Sequence, residues 1–220
     1  MKPPCVILAG GRSSRMGGGD KCLLPLDGRP LLAHVAAAVA PQSCDMLINT
    51  NSNSARFAGF GLATLPDPVT GFQGPLAGIL TGMLWARAHH PRATHLLSVP
   101  CDTPFLPCDL VLRLTEALES DAGIAIARDP ERIHPTIGLW PTSLAGRLAA
   151  DLSAGARAVH RWLENFRVVE TAFPAWHFRN INTRAELAAA RQHHPPARRQ
   201  AAGATPKCFL KARENAASES

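Results

Sequence analysis

The chain has 220 residues, a formal charge of +6 and 46% hydrophobic residues, enough for one sizeable domain whose core needs no disulfide or metal support. That hydrophobic share excludes global disorder, and 5% aromatic residues with no Tyr argue against an aromatic-paved platform for single-stranded nucleic acid. The charge is uneven: residues 191–220 hold six basic and two acidic residues, so a strongly basic body is excluded and nucleic acid is not an expected partner.

Taken in chain order, Cys5-Val-Ile-Leu-Ala9 reads as a buried strand, followed by a Gly-rich polar loop from Gly10 to Asp20. Pro30 to Ala40 reads as a helix with Leu31, Leu32, Val35 and Val39 on its apolar side. Met46 to Ile48 and Leu62 to Leu65 are short strands, ending at Asn49 and near Asp67. Pro75 to Ala88 is a helix with Leu76, Ile79, Leu80, Met83 and Leu84 inward. His95 to Val99 is a strand ending at Pro100-Cys101-Asp102, and Leu110 to Leu118 is helical. Beyond it, Gly123–Ala127, Thr136–Leu139, Val168–Thr171 and Phe178–Ile181 read as strands, with helices over Leu144–Leu152 and Ala158–Phe166. Thr183 caps a last short helix to Arg191, with Glu186 as its capping-box partner.

The repeated order of strand, loop and helix predicts an α/β fold: a three-layer, Rossmann-like arrangement with a mostly parallel central sheet and helices on both faces. Residues 1–192 form a single domain in this reading, and 193–220 a loose, basic tail. In such folds ligands sit beyond the carboxyl ends of the strands. Gly10, Asn49, Asp67 and Asp102 all follow apolar strands and should converge on one edge.

The segment Leu8-Ala-Gly-Gly-Arg-Ser-Ser-Arg-Met-Gly-Gly-Gly-Asp-Lys21 carries the clearest chemistry. Its glycines permit close backbone approach, successive amides there can face phosphate oxygens, and Arg12, Arg15 and Lys21 supply positive charge. It is neither a P-loop, since Lys21 is followed by Cys22, nor a GxGxxG fingerprint opening a helix. Asp102 in Val-Pro-Cys-Asp-Thr-Pro either holds Mg²⁺ together with substrate phosphates or caps the following turn. Asn49 and Asp67 are turn residues or contacts to a base, ribose or phosphate. Gly71 to Gly78 places two tight turns before a helix and is either a wall of the nucleotide site or ordinary punctuation.

His134 in His-Pro-Thr either faces the site or packs through a hydrogen bond. His89-His90 and His193-His194 have no nearby partner set for a metal. Ser13-Ser14 lacks a nucleophile elbow, and Cys101 lacks an identifiable His partner. The six cysteines form no CxxC pair, which indicates reduced thiols rather than zinc or a dithiol centre. The run Cys5–Ala9 is too short for a signal-peptide core, and no stretch approaches the ~20 apolar residues of a membrane span. A cytoplasmic protein without membrane contact is expected.

The Leu8–Lys21 segment, with Gly74-Pro-Leu-Ala-Gly78, Pro100-Cys-Asp-Thr-Pro104, His134-Pro-Thr136 and Asn180-Ile-Asn-Thr183 in the same order, resembles the molybdenum cofactor guanylyltransferases over residues 5–190. The resemblance implies transfer of GMP from GTP to the terminal phosphate of molybdopterin, with release of pyrophosphate. It implies that Leu8, Ala9 and Gly10 contact the guanine nucleotide through backbone, that Lys21 binds its phosphates, and that Asn49, Asp67 and Asp102 contact it. Asp102 would also bind Mg²⁺, and Asn182 would lie near the pterin; by the charge of the Gly-rich loop itself, Arg15 is expected to act with Lys21 on the phosphates. Transient contact with a molybdenum-insertion protein and with recipient molybdoenzymes or their chaperones is implied too. The alternatives are CMP transfer to molybdopterin, nucleotidyl transfer to a sugar phosphate, or a non-catalytic nucleotide-binding adaptor. The segment after His194 resembles nothing in the family.

Overall fold

A computed structural model describes residues 1–10, 21–68, 74–118, 123–181 and 186. The strands are β1 (Cys5–Leu8), β2 (Pro25–Leu26), β3 (Arg29–Pro30), β4 (Met46–Asn49), β5 (Ala63–Leu65), β6 (His95–Pro100), β7 (Ile124–Arg128), β8 (Ile133–Pro141) and β9 (Val168–Ala172). The helices are α1 (Leu31–Val39), α2 (Pro75–His89), α3 (Leu110–Ala117), α4 (Ala145–Ser153) and α5 (Val159–Leu163). Seven strands form one sheet in the order β5-β4-β1-β6-β8-β7-β9, and β2 pairs with β3 apart from it. The pairs β5–β4, β4–β1, β1–β6 and β7–β9 are parallel, whereas β8 runs antiparallel to β6 and β7.

Helices cover both faces, which is why the inner strands β1, β4 and β7 are buried almost throughout rather than alternating. Cys5, Ile7, Leu97, Val99, Ala125 and Ala127 share one core with Leu32 and Val35 of α1 and Leu110 and Leu114 of α3. Their neighbours in sequence, Val6, Leu8, Leu96, Ile124 and Ile126, turn to the opposite core with Leu76, Ile79 and Met83 of α2, Leu148 of α4 and Trp162 of α5. Each fully buried Leu, Ile or Val contributes roughly 1.5–3 kcal/mol.

Helix α2 lies so close to the sheet that two of its glycines are structural requirements. A Cβ on Gly82 would stand 2.7 Å from side-chain atoms of Leu96 and Val6, and one on Gly78 would stand 2.3 Å from Asn49 Oδ1. The inward face is therefore centred toward these glycines. Leu84, expected inside, is two residues past Gly82, about 200° around a helix with 3.6 residues per turn, and is 42% exposed. Trp85 is buried instead.

Two departures lie in the second half. Strand β8 is longer than expected and contains Pro135. Its pairing with β7 jumps from Ile126–Gly138 to Ala127–His134. Pro135 has no N–H to give to the ladder, so the strand bulges there, and the Thr136 carbonyl instead accepts from Ser98 Oγ at 2.8 Å. Residues 178–181, expected as a strand, form none: a helical turn over Ala175–Phe178 runs into a strap toward Asp102. The apolar residues that suggested a strand are anchors, with Phe178 in one core and Ile181 in a small cluster with Leu26, Leu31 and Phe105. The capped helix from Thr183 to Arg191 and the tail from 193 lie outside the described residues, Glu186 excepted. Among the described residues, no helix is long and apolar enough to cross a membrane.

Candidate active site at the strand ends

The carboxyl ends of β1, β4, β5 and β6 share one edge of the sheet, because these four strands are parallel neighbours. Backbone bonds lock their exits together. The Ala9 amide donates to the Asn49 carbonyl at 2.8 Å, Cys101 donates to the Leu8 carbonyl at 3.1 Å, and Thr50 donates to the Leu65 carbonyl at 3.0 Å. Leu8 and Ala9 are buried, whereas Gly10 is exposed and sits beside the Asn49 side chain.

Asn49 is buried at the centre of this edge. Its Nδ2 donates to Asp67 Oδ1 at 3.0 Å, with longer contacts to the Leu65 carbonyl and to Thr81 Oγ1 on α2. Asp67 is also gripped by Asn51, whose Nδ2 donates to Oδ2 at 2.8 Å and whose Oδ1 accepts from the Asp67 amide at 2.9 Å. Asn49 and Asp67 thus form one unit across β4 and β5. Asn51 and Thr81 complete it, and sequence reading passed over both; the polar run Asn49-Thr-Asn-Ser-Asn53 directly after a buried strand was the available signal.

Asp102 emerges from β6 on the other side of β1. Lys21 Nζ donates to Asp102 Oδ2, joining the residue that closes the Gly-rich segment to the carboxylate 81 positions later. The two side chains are 18% and 17% exposed, so the pair is reachable from solvent. The Asp102 loop is braced from behind. Its carbonyl accepts from the Ile181 amide at 3.0 Å, and Thr103 Oγ1 donates to Asn180 Oδ1 at 2.8 Å. Arg12 and Arg15 of the Gly-rich segment, residues 71–73 of the Gly71–Gly78 segment and Asn182 lie outside the described residues; Gly78 itself abuts Leu8 and Asn49.

The other candidates have packing partners. Cys101 is buried, and its hydrogen bond with Cys22 and its burial push its thiol well above the usual range, the opposite of an activated nucleophile. His134 is buried with Nε2 2.8 Å from Asp129 Oδ2. His89 bonds the Trp85 carbonyl and His90 bonds Asp45. Among the described residues, no group of three or more His, Cys, Asp or Glu side chains is placed to hold a metal.

One edge therefore offers an amide–carboxylate unit, with Asn49 buried, beside a cation–carboxylate pair, and residues 5–169 match the MobA-like NTP transferase domain. The chain belongs to the molybdenum cofactor guanylyltransferase family. It is 47% identical over 192 residues to a molybdenum cofactor guanylyltransferase of Rhodopseudomonas palustris (strain BisB5), a match spanning 85% of this chain and 91% of the relative. It is 45% identical, with the same coverage, to a molybdenum cofactor guanylyltransferase of Bradyrhizobium sp. (strain ORS 278). The fold superposes on molybdopterin-guanine dinucleotide biosynthesis protein A from Archaeoglobus fulgidus with a TM-score of 0.68 and 21% identity, covering 86% of this chain and 97% of that one. For this family member, the motif resemblance and the α/β architecture read from sequence both hold.

Proposed function

We propose that this protein transfers GMP from GTP to the terminal phosphate of molybdopterin and releases pyrophosphate. Two things support the reading: the identity to guanylyltransferases over most of both chains, and the Lys21–Asp102 pair at the strand ends, which carries it chemically. In the proposed reaction a phosphate oxygen of the pterin attacks the α-phosphorus of GTP, and the bond from that phosphorus to the bridging oxygen of pyrophosphate breaks. A phosphate monoester is largely dianionic at neutral pH because its second pKa is ~6. It needs no protein base, in keeping with Cys101 and His134 being occupied by packing contacts.

The chain's own groups act by charge and position. Lys21, with Arg15 from the Gly-rich segment, offsets charge gathering on the phosphates and the departing pyrophosphate. Asn49 and Asp67, fixed by Asn51 and Thr81, form a rigid wall for the nucleotide. Asp102 is a hard oxygen donor reachable from solvent, and one carboxylate fits a Mg²⁺ whose other ligands are substrate phosphates and water. Bound there, Mg²⁺ would supply polarisation of phosphate oxygens. The acceptor would arrive from a molybdenum-insertion protein and leave toward a recipient molybdoenzyme or its chaperone.

The test is nucleotide-dependent pyrophosphate release with molybdopterin as acceptor. GTP should support it in strong preference to CTP and UTP. Preference for CTP would overturn the base assignment, and tight GTP binding without pyrophosphate release would favour a nucleotide-binding adaptor.

A further inference from the structure

The buried Asp129–His134 pair lies at the same edge of the sheet as the site, at the turn between β7 and β8, yet the reaction above makes no use of it. Both side chains are 7% exposed. Asp129 Oδ1 accepts from the amides of Glu131 and Arg132, each at 2.8 Å, and Oδ2 takes the His134 ring at 2.8 Å. Each carboxylate oxygen thus has a fixed partner, and the orientation of the imidazole is fixed with them. The bulge at Pro135 sets where this ring stands.

The ring does not end the chain of contacts. It lies against Phe178, with centroids 4.6 Å apart. Phe178 opens the strap whose next residues brace the Asp102 loop: Asn180 accepts from Thr103 Oγ1, and the Ile181 amide donates to the Asp102 carbonyl. Phe173 also meets Phe178, edge to face with centroids 5.4 Å apart. If packing alone were served, an apolar pair of similar volume would serve at least as well, since burying a carboxylate and an imidazole costs their desolvation. A hydrogen-bonded imidazole adds what an apolar side chain lacks, a single ring orientation.

We propose that Asp129 and His134 are positioning residues for the transfer reaction, acting through Phe178 and the 178–181 strap to hold Asp102 in place. The role in catalysis rests on the functional reading above; the mechanical link does not. Three full-length variants test it: His134→Phe, which keeps an aromatic ring but loses the bond to Asp129; His134→Gln, which restores a donor to Asp129; and Asp129→Asn. Hydrogen exchange is read at the Ile181 amide and at amides of β1 and β4, alongside kcat and KM for GTP-dependent pyrophosphate release. His134→Phe and Asp129→Asn should raise Ile181 exchange about 10-fold or more and lower kcat about 10–100-fold. The KM for GTP should stay within about 2-fold, exchange in β1 and β4 should not change, and His134→Gln should recover most of kcat. Unchanged Ile181 exchange in His134→Phe would overturn the proposal. So would a rise in exchange shared equally by β1 and β4, which marks general destabilisation. A wild-type chain that releases no pyrophosphate would defeat the functional reading, and the Ile181 amide would still decide the mechanical link.

Discussion

The two halves of the sheet are organised by different means. In β5-β4-β1-β6 every strand is parallel, and β4, β5 and β6 deliver Asn49, Asp67 and Asp102 at or within two residues of their carboxyl ends. In β8-β7-β9 one strand is reversed, a bulge interrupts its ladder, and the chain then crosses back over the strand ends to meet Asp102. In the proposed function the first half presents the chemistry; the chain that follows the second braces the Asp102 loop through Asn180 and Ile181. The lesson is that a site built on strand ends needs support from outside its own strands, because the last residue of a strand is held on one side only.

The largest expected effect lies where the halves meet. Asp102→Asn or Lys21→Ala should lower pyrophosphate release by about 10²–10³-fold while the melting temperature moves by only a few degrees. Near-wild-type turnover in either variant would break the assignment of that pair.

Within the parallel half, Gly78→Ala should weaken GTP binding about 10-fold by driving a methyl group into Asn49 and Leu8. Gly82→Ala meets Leu96 and Val6 instead, away from the Asn49–Asp67 unit. It should cost about 1–3 kcal/mol of stability with GTP affinity preserved. Denaturant unfolding and nucleotide titration would separate the two, and equal losses of GTP affinity would erase the distinction between site glycine and packing glycine.

In the mixed half, Trp140→Phe removes the indole bond to Ser98 Oγ at 2.7 Å and should cost about 1 kcal/mol, read by denaturant unfolding. The smallest effect is one of pH. Burial lowers the His134 pKa below its ordinary 6.5, despite the opposing pull of Asp129. The unfolded state therefore takes up a proton first, and stability should fall as pH drops from 6.5 toward the folded-state pKa. His134→Phe should flatten that part of the curve. An unchanged slope would show that another group carries it.

Sequence reading reached the parallel half because its signals are local. An apolar run followed within two residues by Asn or Asp marks a strand end without knowledge of neighbours. It misplaced Leu84 because helical periodicity does not show that Gly78 and Gly82, rather than the bulky residues, face the sheet. It missed the strap because Phe178 and Ile181 have strand-like spacing but satisfy two different cores. It left His134 open between two roles because Asp129, its partner, acts through a bulge that only β7–β8 pairing reveals. Asn51 and Thr81 escaped notice for a similar reason: their importance lies in what they hold, not in their own chemistry.

The most direct test of the central claim is pyrophosphate release by the wild-type chain with GTP and molybdopterin, compared with Asp102→Asn under the same conditions. The account predicts release that requires both substrates and falls about 10²–10³-fold in the variant. Release without molybdopterin, or equal release by the two proteins, would contradict it.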